Sequence, residues 1–257
     1  MSGIDTLYSD RKALGQEAQR NTRVVAEDVA SGFARTVRET DEAVRGGGPF
    51  HPEGRKSLRA LLERFDPSSA ARLGSTHDLA VSLWAPMRWE VENRPELSFF
   101  YVSREVTPGS VDIGGGRRDQ QTVKISSDLL LVNANVDDNT PIIGEVKLRG
   151  DQNALLALLQ ALASAAQLAP ERQRKRLQSV YPDLLGGAVP ERLDVYVITH
   201  EPPPKGVRPE LYKHAVELAD ELTTSNGISS WVRRIAFLEA DYESPALSFR
   251  EQHLFVN

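Results

Sequence analysis

The stretch that decides the fold runs from Ser127 to Leu148 and reads SDLLLVNANVDDNTPIIGEVKL. It contains two short apolar runs rich in leucine, isoleucine and valine, each of the length expected for a buried strand. Between them, residues 137–141 (Asp-Asp-Asn-Thr-Pro) have the composition of a turn. The pattern therefore predicts a β-hairpin, and the apolar content of both strands predicts that the hairpin is buried.

Three ionisable residues interrupt these apolar strands. Asp128 opens the first strand, and Glu145 and Lys147 lie near the end of the second. Residues two apart on a strand point to the same face, so Glu145 and Lys147 are predicted neighbours. Antiparallel return of the hairpin brings Asp128 near both of them, although sequence leaves the register open. The alternative is a solvated Glu–Lys pair on an edge strand, with Asp128 capping a turn, and the apolar runs argue against it.

This group of charges suits a divalent cation. Two carboxylates and an ammonium flanked by apolar residues are costly to remove from water unless another interaction compensates. Mg²⁺ prefers oxygen ligands and keeps several waters, which fits two carboxylates and a substrate phosphate. We therefore expect a Mg²⁺ site, or a Mn²⁺ site, at this end of the hairpin.

The surrounding sequence predicts an α/β fold. Residues 97–106 are rich in aromatic and β-branched side chains and are expected to form a strand. Residues 153–168 are almost entirely Ala, Leu and Gln, which predicts a helix buried on more than one side. Residues 193–199 are apolar enough for a central strand. The remaining predicted elements are a helix over 209–224 and strands over 231–238 and 247–256.

The chain before the hairpin is predicted to be mostly helical. Residues 1–48 form a helical extension, 49–74 a linker with a short helix, and 75–257 the main domain, opening with a helix from about Ser75 toward Glu92. The extension has a narrow apolar stripe with helical spacing, made up of Leu14, Ala18, Val25, Val29, Phe33 and Val37. The stripe could pack on its own domain, on a second copy in a homodimer, or on a partner protein.

Composition excludes several classes of protein. There are no cysteines, which rules out disulfides, thiolate metal sites and a cysteine nucleophile. No apolar run has the roughly 20 residues of a membrane span, and the first residues lack a signal-peptide pattern, so we expect a cytoplasmic protein. The net charge is −5. Because nucleic-acid-binding proteins are usually basic, contact with nucleic acid would need a local basic surface or a partner.

The order helix, strand, hairpin with Glu-Val-Lys, buried helix, strand resembles the PD-(D/E)xK nuclease superfamily over roughly residues 75–200. The matching residues are Asp128 and, after sixteen intervening residues, Glu145-Val146-Lys147. The resemblance implies a restriction-endonuclease-like α-β-β-β-α-β core, here with an N-terminal helical extension. It also implies a metal-dependent nuclease that hydrolyses phosphodiester bonds, with DNA favoured over RNA as the substrate.

The resemblance also implies a role for each residue of the motif. The metal would be held by Asp128, Glu145 and the backbone carbonyl of Val146, while Lys147 would face the scissile phosphate and the attacking water. This division is chemically sensible, because a metal ion polarises the phosphoryl oxygen and acidifies bound water. The ammonium offsets the charge that develops in the transition state.

Two further site residues are expected from the same resemblance. Members of the family often supply another carboxylate from the helix before the first core strand, which selects Glu90, with Glu92 as the alternative. RecB-like branches have Gln-x-x-x-Tyr on the helix after the hairpin. Gln160 matches the glutamine, but Ser164 stands where the tyrosine would be, so the chain departs from the pattern of that branch.

Basic residues that could form a nucleic-acid surface occur in three groups, although a solvated charge run is the alternative for each: Arg172, Arg174, Lys175 and Arg176; Arg117 and Arg118; and Arg233 and Arg234.

The alternative to an active nuclease is a catalytically silent subunit of the same fold that binds nucleic acid or serves as a scaffold. Restriction, repair, mobile-element processing and anti-phage defence all use this fold, and fold alone does not choose among them.

Overall fold

The structure is a computed structural model. It describes residues 11–43, 88–106, 127–135, 138–147, 153–182, 187–200, 209–241 and 247–257. The predicted linker over 49–74, the first part of the helix predicted from Ser75, and the pair Arg117 and Arg118 lie outside the described residues.

Five helices and eight strands are described. The helices are α1 (Arg11–Ala18), α2 (Thr22–Ala43), α3 (Ala154–Leu168), α4 (Glu171–Val180) and α5 (Pro209–Thr224). The strands are β1 (Arg88–Trp89), β2 (Val91–Glu92), β3 (Phe99–Val106), β4 (Ser127–Asn133), β5 (Pro141–Lys147), β6 (Leu193–His200), β7 (Val232–Asp241) and β8 (Ser248–Val256).

All eight strands form one mixed sheet in the order β1-β3-β4-β5-β6-β7-β8-β2. The strands β3, β4 and β5 form an antiparallel meander, β5, β6 and β7 are parallel, and β8 returns antiparallel to β7. The chain crosses from β5 to β6 through α3 and α4, because parallel neighbours require a crossover connection. The predicted α/β class with a mixed sheet is confirmed.

The two ends of the sheet approach each other. The strands β1 and β2 are separated by Glu90 alone, yet β1 pairs with β3 and β2 pairs with β8. The sheet must therefore curl, and aromatic rings fill the space that it encloses. Phe249 of β8 lies 5.1 Å from Phe99 of β3 and 5.9 Å from Trp89, measured between ring centroids.

Strand alternation divides the interior into two cores. On the concave face, Leu129, Ile142 and Tyr196 pack with the aromatic residues of the curl. On the other face, Leu130 and Ile143 belong to a larger core with the helices. The helix α3 is buried along nearly its whole length, as predicted. No described helix is by itself long and apolar enough to cross a membrane; α3 and α4 pass that test only as a pair bent by 87°.

The predicted stripe of the N-terminal helix packs on the chain itself. Val25, Val29 and Phe33 are 0% exposed and belong to the helix-side core. A Cβ placed on Gly227, just after α5, would lie 2.7 Å from Cβ of Ala30, so only glycine permits the close approach of α2 at that point. Because the chain's own core covers the stripe, these residues are not available to a second copy or a partner.

The predicted helix toward Glu92 is wrong for its last residues. Residues 88–92 are extended and form β1 and β2. Trp89 and Val91 are buried, while Arg88, Glu90 and Glu92 are exposed. This alternation has the period of two that is typical of a half-buried strand and not the spacing of the predicted helix end.

Candidate active site

The predicted hairpin is confirmed, and its two strands separate at the candidate site. Pairing of β4 with β5 runs from Val132 opposite Pro141 to Leu129 opposite Gly144. Continuing this register by one step places Asp128 opposite Glu145. A Cβ on Gly144 would lie 3.1 Å from Cβ of Leu129, so the absence of a side chain there lets the strands pair closely just before the site.

Beyond the pair Leu129 and Gly144, side chains take the place of backbone-to-backbone hydrogen bonds between β4 and β5. The backbone N–H of Asp128 donates to Oε1 of Glu145 at 3.3 Å, and the N–H of Val146 donates to Oδ2 of Asp128 at 2.9 Å. Each carboxylate therefore accepts a hydrogen bond from the backbone of the opposite strand. The two acidic side chains occupy the position where further strand pairing would otherwise form.

The structure brings Asp128, Glu145 and Lys147 together on one face. Ile143 belongs to the helix-side core, and the alternation of β5 places Glu145 and Lys147 on that same face. Glu145 is 0% exposed and Lys147 is 7% exposed, whereas Asp128 is half-buried. The three residues are therefore largely shielded from water beneath the helical layer.

The electrostatics of this group are unbalanced. Burial is the main cause that raises the pKa of the Glu145 carboxyl well above its ordinary value, and the charge of Asp128 raises it further. The ammonium of Lys147 opposes the shift but does not reverse it. Oε2 of Glu145 is buried and has no hydrogen-bond partner among the described residues. One carboxylate oxygen is thus left in a position that suits a ligand.

The donor atoms fit a magnesium ion. Mg²⁺ is commonly held by one or two protein carboxylates with waters completing its shell, and Asp128 and Glu145 supply two. The N–H of Val146 points toward β4, and in an extended strand the carbonyl of the same residue points the same way. The described parts of the chain contain no group of three or more His, Cys, Asp or Glu residues placed to hold a metal. Waters and the Val146 carbonyl would therefore complete the coordination.

Neither candidate for the extra carboxylate is near this group. Glu90 is exposed and lies 3.7 Å from Arg88 in an ion pair. Its neighbour Trp89 pairs with Phe99, which in turn pairs with Asn133 at the far end of β4 from Asp128. Glu92 lies in β2 and pairs with Arg250 at 3.5 Å. The strand topology of residues 88–92 places both carboxylates outside the site.

Gln160 is not joined to the site by any described hydrogen bond. Within α3, Gln160 and Leu156 are the two residues that are not buried. They are four residues apart and share one side of the helix, away from its packed faces. Ser164, at the position where a tyrosine was sought, is 0% exposed, and its hydroxyl has no hydrogen-bond partner among the described residues.

Arg233 and Arg234 do not form a free basic surface. Both guanidinium groups bind the buried carboxylate of Asp194, each with one nitrogen at 2.7 Å from Oδ2. Arg233 also pairs with Asp138 at 2.5 Å. The two arginines therefore balance buried acidic charge at the amino ends of β6 and β7, which is the opposite end of the sheet from the candidate site.

The basic cluster of α4 is also largely engaged within the chain. Arg174 donates to the backbone carbonyl of Glu191, and Lys175 pairs with Glu171 at 2.5 Å. Arg176 is 8% exposed and donates to the side-chain oxygen of Gln173 at 2.7 Å. Of the four predicted residues, only Arg172 and Lys175 are classed as exposed, which leaves little basic surface for nucleic acid here.

The sequence analysis did not select two polar residues beside the site. Lys147 lies opposite Thr199 of β6, and Thr199 lies opposite Glu239 of β7. Thr199 is 1% exposed and Glu239 is 8% exposed. Burial raises the pKa of the Glu239 carboxyl, although the charge of Arg250 opposes this. In the sequence, each of the two is visible as a polar residue near the end of an apolar strand. The sheet order is needed to show that Thr199 and Glu239 lie side by side with Lys147 across β5, β6 and β7.

Comparison with known proteins does not assign this geometry to a family. No family model matches the chain, and neither a curated protein nor a solved structure matches it. The residues of the site are therefore the basis for inferring function.

Proposed function

We propose that the protein is a metal-dependent nuclease of the PD-(D/E)xK type. The observation that carries the proposal is the pairing of half-buried Asp128 with buried Glu145, which has a carboxylate oxygen without a described partner, beside the ammonium of Lys147. The path of the chain supports it. An antiparallel meander of β3, β4 and β5 is followed by a crossover through α3 and α4 to the parallel strand β6, an order compatible with the β-β-β-α-β part of the core that the resemblance implies.

Each residue has a task in phosphodiester hydrolysis. Asp128 and Glu145 would hold Mg²⁺ or Mn²⁺, with the carbonyl of Val146 as a further ligand. When bound, the ion supplies Lewis-acid polarisation of the phosphoryl oxygen and a more acidic water. Lys147 contacts the scissile phosphate and stabilises the additional negative charge of the transition state. The apolar surroundings of the group exclude bulk water and so strengthen this interaction.

The second candidate function is a catalytically silent subunit that binds nucleic acid or serves as a scaffold. The net charge of −5 favours it, as does the pairing of Arg174, Arg233 and Arg234 with partners inside the chain. A protein with so little described basic surface would depend on another subunit to hold a nucleic acid. The presence of both carboxylates and the lysine in one buried group favours the active enzyme.

The decisive experiment measures cleavage by the purified protein. Plasmid DNA, linear duplex DNA, single-stranded DNA and RNA are each incubated with Mg²⁺, with Mn²⁺ and with excess chelator. We expect cleavage of DNA that depends on the divalent ion. Glu145→Gln should abolish it, whereas Glu90→Gln, which changes an exposed carboxylate at the other end of the sheet, should cleave like the wild type.

The outcomes separate the two functions. Cleavage that persists in excess chelator, or that survives in Glu145→Gln, contradicts the proposed metal site. Tight binding of nucleic acid without cleavage under every condition supports the silent subunit instead.

A further inference from the structure

A row of polar side chains runs from the candidate site across the helix-side face of the sheet. Lys147, Thr199 and Glu239 occupy neighbouring register positions on β5, β6 and β7. Ile143, Val195 and Phe237 lie on the same strands, an even number of residues away, and all belong to the helix-side core. The three polar side chains therefore share that face, at the carboxyl ends of three parallel strands. Ligands of open α/β sheets commonly bind at such an edge.

Glu239 continues this row as a hydrogen-bond acceptor, and Arg250 of β8 occupies the next register position. Oε2 of Glu239 accepts a hydrogen bond from Nε2 of Gln252 at 2.8 Å, which fixes the carboxylate on β7. The hydroxyl of Thr199 donates to the backbone carbonyl of Leu238 at 3.4 Å, so its oxygen remains an acceptor toward the row. Neighbouring strands are about 4.8 Å apart, which separates the backbones of Lys147 and Glu239 by roughly 10 Å.

Aromatic rings lie next to Glu239. The ring of Tyr212 of α5 lies 5.6 Å from that of Phe237, which is two residues before Glu239 on the same face of β7. Burial raises the pKa of the Tyr212 hydroxyl, and the charge of Glu239 adds to this. That hydroxyl is buried and has no hydrogen-bond partner among the described residues. The ring of His253 lies 5.9 Å from Tyr212 and stacks on Phe255 at 6.4 Å with an interplanar angle of 16°. His253 is exposed, so one ring of this group is open to a ligand.

This combination is the chemistry of nucleobase recognition. Aromatic faces bind bases by stacking, largely independently of their identity. A carboxylate distinguishes among bases because it accepts a hydrogen bond from an amino group such as N4 of cytosine. A carboxylate repels phosphate, so Glu239 is suited to a base edge rather than to the backbone.

We propose that Glu239, Tyr212 and His253 form a subsite for the base of a nucleotide next to the scissile phosphate, with preference for a base that presents an amino group. The inference rests on the proposed nuclease function, because it takes the phosphate to lie at Lys147. Thr199 lines the path between the two positions. The subsite determines which base lies beside the cleaved bond, while Asp128, Glu145 and Lys147 determine that cleavage occurs.

The experiment uses cytosine and uracil, which differ at position 4 by an amino group in place of a carbonyl. Labelled oligo-dC and oligo-dU of equal length are bound to the full chain without divalent ions, so that no cleavage occurs, and affinity is measured by fluorescence anisotropy. We expect the wild type to bind oligo-dC about 10-fold more tightly than oligo-dU, the scale of one well-placed base contact. Glu239→Gln should bring the two affinities to within about 2-fold, because an amide both donates and accepts.

Two further variants make the test specific. His253→Ala should weaken binding of both oligonucleotides by a similar factor, because stacking does not read the base edge. Glu191→Gln should leave both affinities unchanged, since this exposed carboxylate lies just before the amino end of β6, whereas Glu239 lies near the carboxyl end of β7. Glu239→Gln keeps an acceptor for Gln252 and is expected to fold, which its melting temperature verifies.

The results distinguish failure of the subsite from failure of the proposed function. Equal binding of oligo-dC and oligo-dU by the wild type overturns the subsite, whether or not the protein cleaves DNA. So does an unchanged preference in Glu239→Gln. A preference for oligo-dC that Glu239→Gln removes supports the subsite even if the protein cleaves nothing with Mg²⁺, and in that case only the nuclease assignment fails.

Discussion

Replacing Glu145 with glutamine should stabilise the metal-free protein while removing its response to Mg²⁺. Glu145 is fully buried and lies opposite Asp128 across the two strands. Side chains in such cross-strand positions are about 5 Å apart. Two unit charges at that distance repel by about 3 kcal/mol at an effective dielectric constant of about 20. Lys147 offsets part of this, so we expect a gain of roughly 1–2 kcal/mol in the free energy of unfolding.

The gain should depend on pH in a defined direction. Because the pKa of Glu145 is raised in the folded protein, the folded state retains a proton that the unfolded state loses near its ordinary pKa. The resulting stability is fully present below the ordinary pKa of a glutamate and is lost as pH rises through the raised value. The glutamine variant has no such proton to lose. The two proteins should therefore differ little at pH 4 and increasingly at higher pH.

The measurement is thermal unfolding from pH 4 to pH 8.5, in chelator and in Mg²⁺. A chain of this size gains roughly 2–4 °C in melting temperature per kcal/mol, so about 2–8 °C is expected at pH 8.5 in chelator. Mg²⁺ should stabilise the wild type by mass action and leave Glu145→Gln unchanged. Glu90→Gln should behave like the wild type throughout. A difference that is the same at every pH, or equal stabilisation of both proteins by Mg²⁺, would refute the reasoning.

Three further outcomes follow from the same contacts. Lys147→Ala should slow cleavage by about 100-fold or more, which is the scale of a lost transition-state contact. The affinity for Mg²⁺, measured by calorimetry, should stay within about 3-fold of wild type. Cleavage at the wild-type rate would refute the role of the lysine. Gly144→Ala should lower the free energy of unfolding by about 1–3 kcal/mol in denaturant titration, because its Cβ would lie 3.1 Å from Cβ of Leu129; an unchanged midpoint would contradict the close approach. Asp194→Ala should cost about 3–5 kcal/mol by the same titration, because it leaves two guanidinium groups without their buried partner; a loss below about 1 kcal/mol would show that solvent or other acids replace it.

The hairpin was predictable from sequence because its signals are local. Two apolar runs, a turn between them and a period of two within each strand are all readable within Ser127–Leu148. The same local rules place Glu145 and Lys147 on one face. Antiparallel return alone then brings Asp128 close to them. No knowledge of the other strands is needed for this group of three.

The residues outside the hairpin required information that sequence does not contain. Glu90 was misplaced because β1 and β2 are two residues each, too short for alternation to be distinguished from the end of a helix. Thr199 and Glu239 are forty residues apart and meet through the register of β6 with β7. Long-range strand pairing of this kind depends on how the whole sheet assembles. A polar residue at the end of an apolar strand was the only local sign of either.

The N-terminal stripe shows a different limit. Its spacing predicts a helix and an apolar face, and both are present in α2. The stripe does not specify what covers it, because apolar surface is attracted to any apolar surface without direction. In the folded chain the stripe packs into the helix-side core, and Ala30 approaches Gly227 so closely that a Cβ there would lie 2.7 Å away. Such a match of small residues cannot be recognised before the two segments are known to meet.

The two charged clusters of the sheet differ in a way that bears on function. At the amino ends of β6 and β7, Asp138 and Asp194 are matched by Arg233 and Arg234, so the charges balance. Burial alone would raise the pKa of Asp138, but hydrogen bonds from Thr140 and Arg233 lower it below its ordinary value. A cluster of this kind is complete within the chain.

At the carboxyl end of β5 the balance is reversed. Among the residues that the structure describes, two carboxylates face one ammonium, one carboxylate oxygen has no partner, and the pKa of Glu145 is raised rather than lowered. Such an arrangement destabilises the folded chain and persists only where the rest of the structure tolerates the cost. Since the same sheet builds a balanced cluster at its other end, the imbalance is not a general property of this fold. We propose that a divalent cation supplies positive charge at this end, which makes Mg²⁺ binding at Asp128 and Glu145 the first property to test.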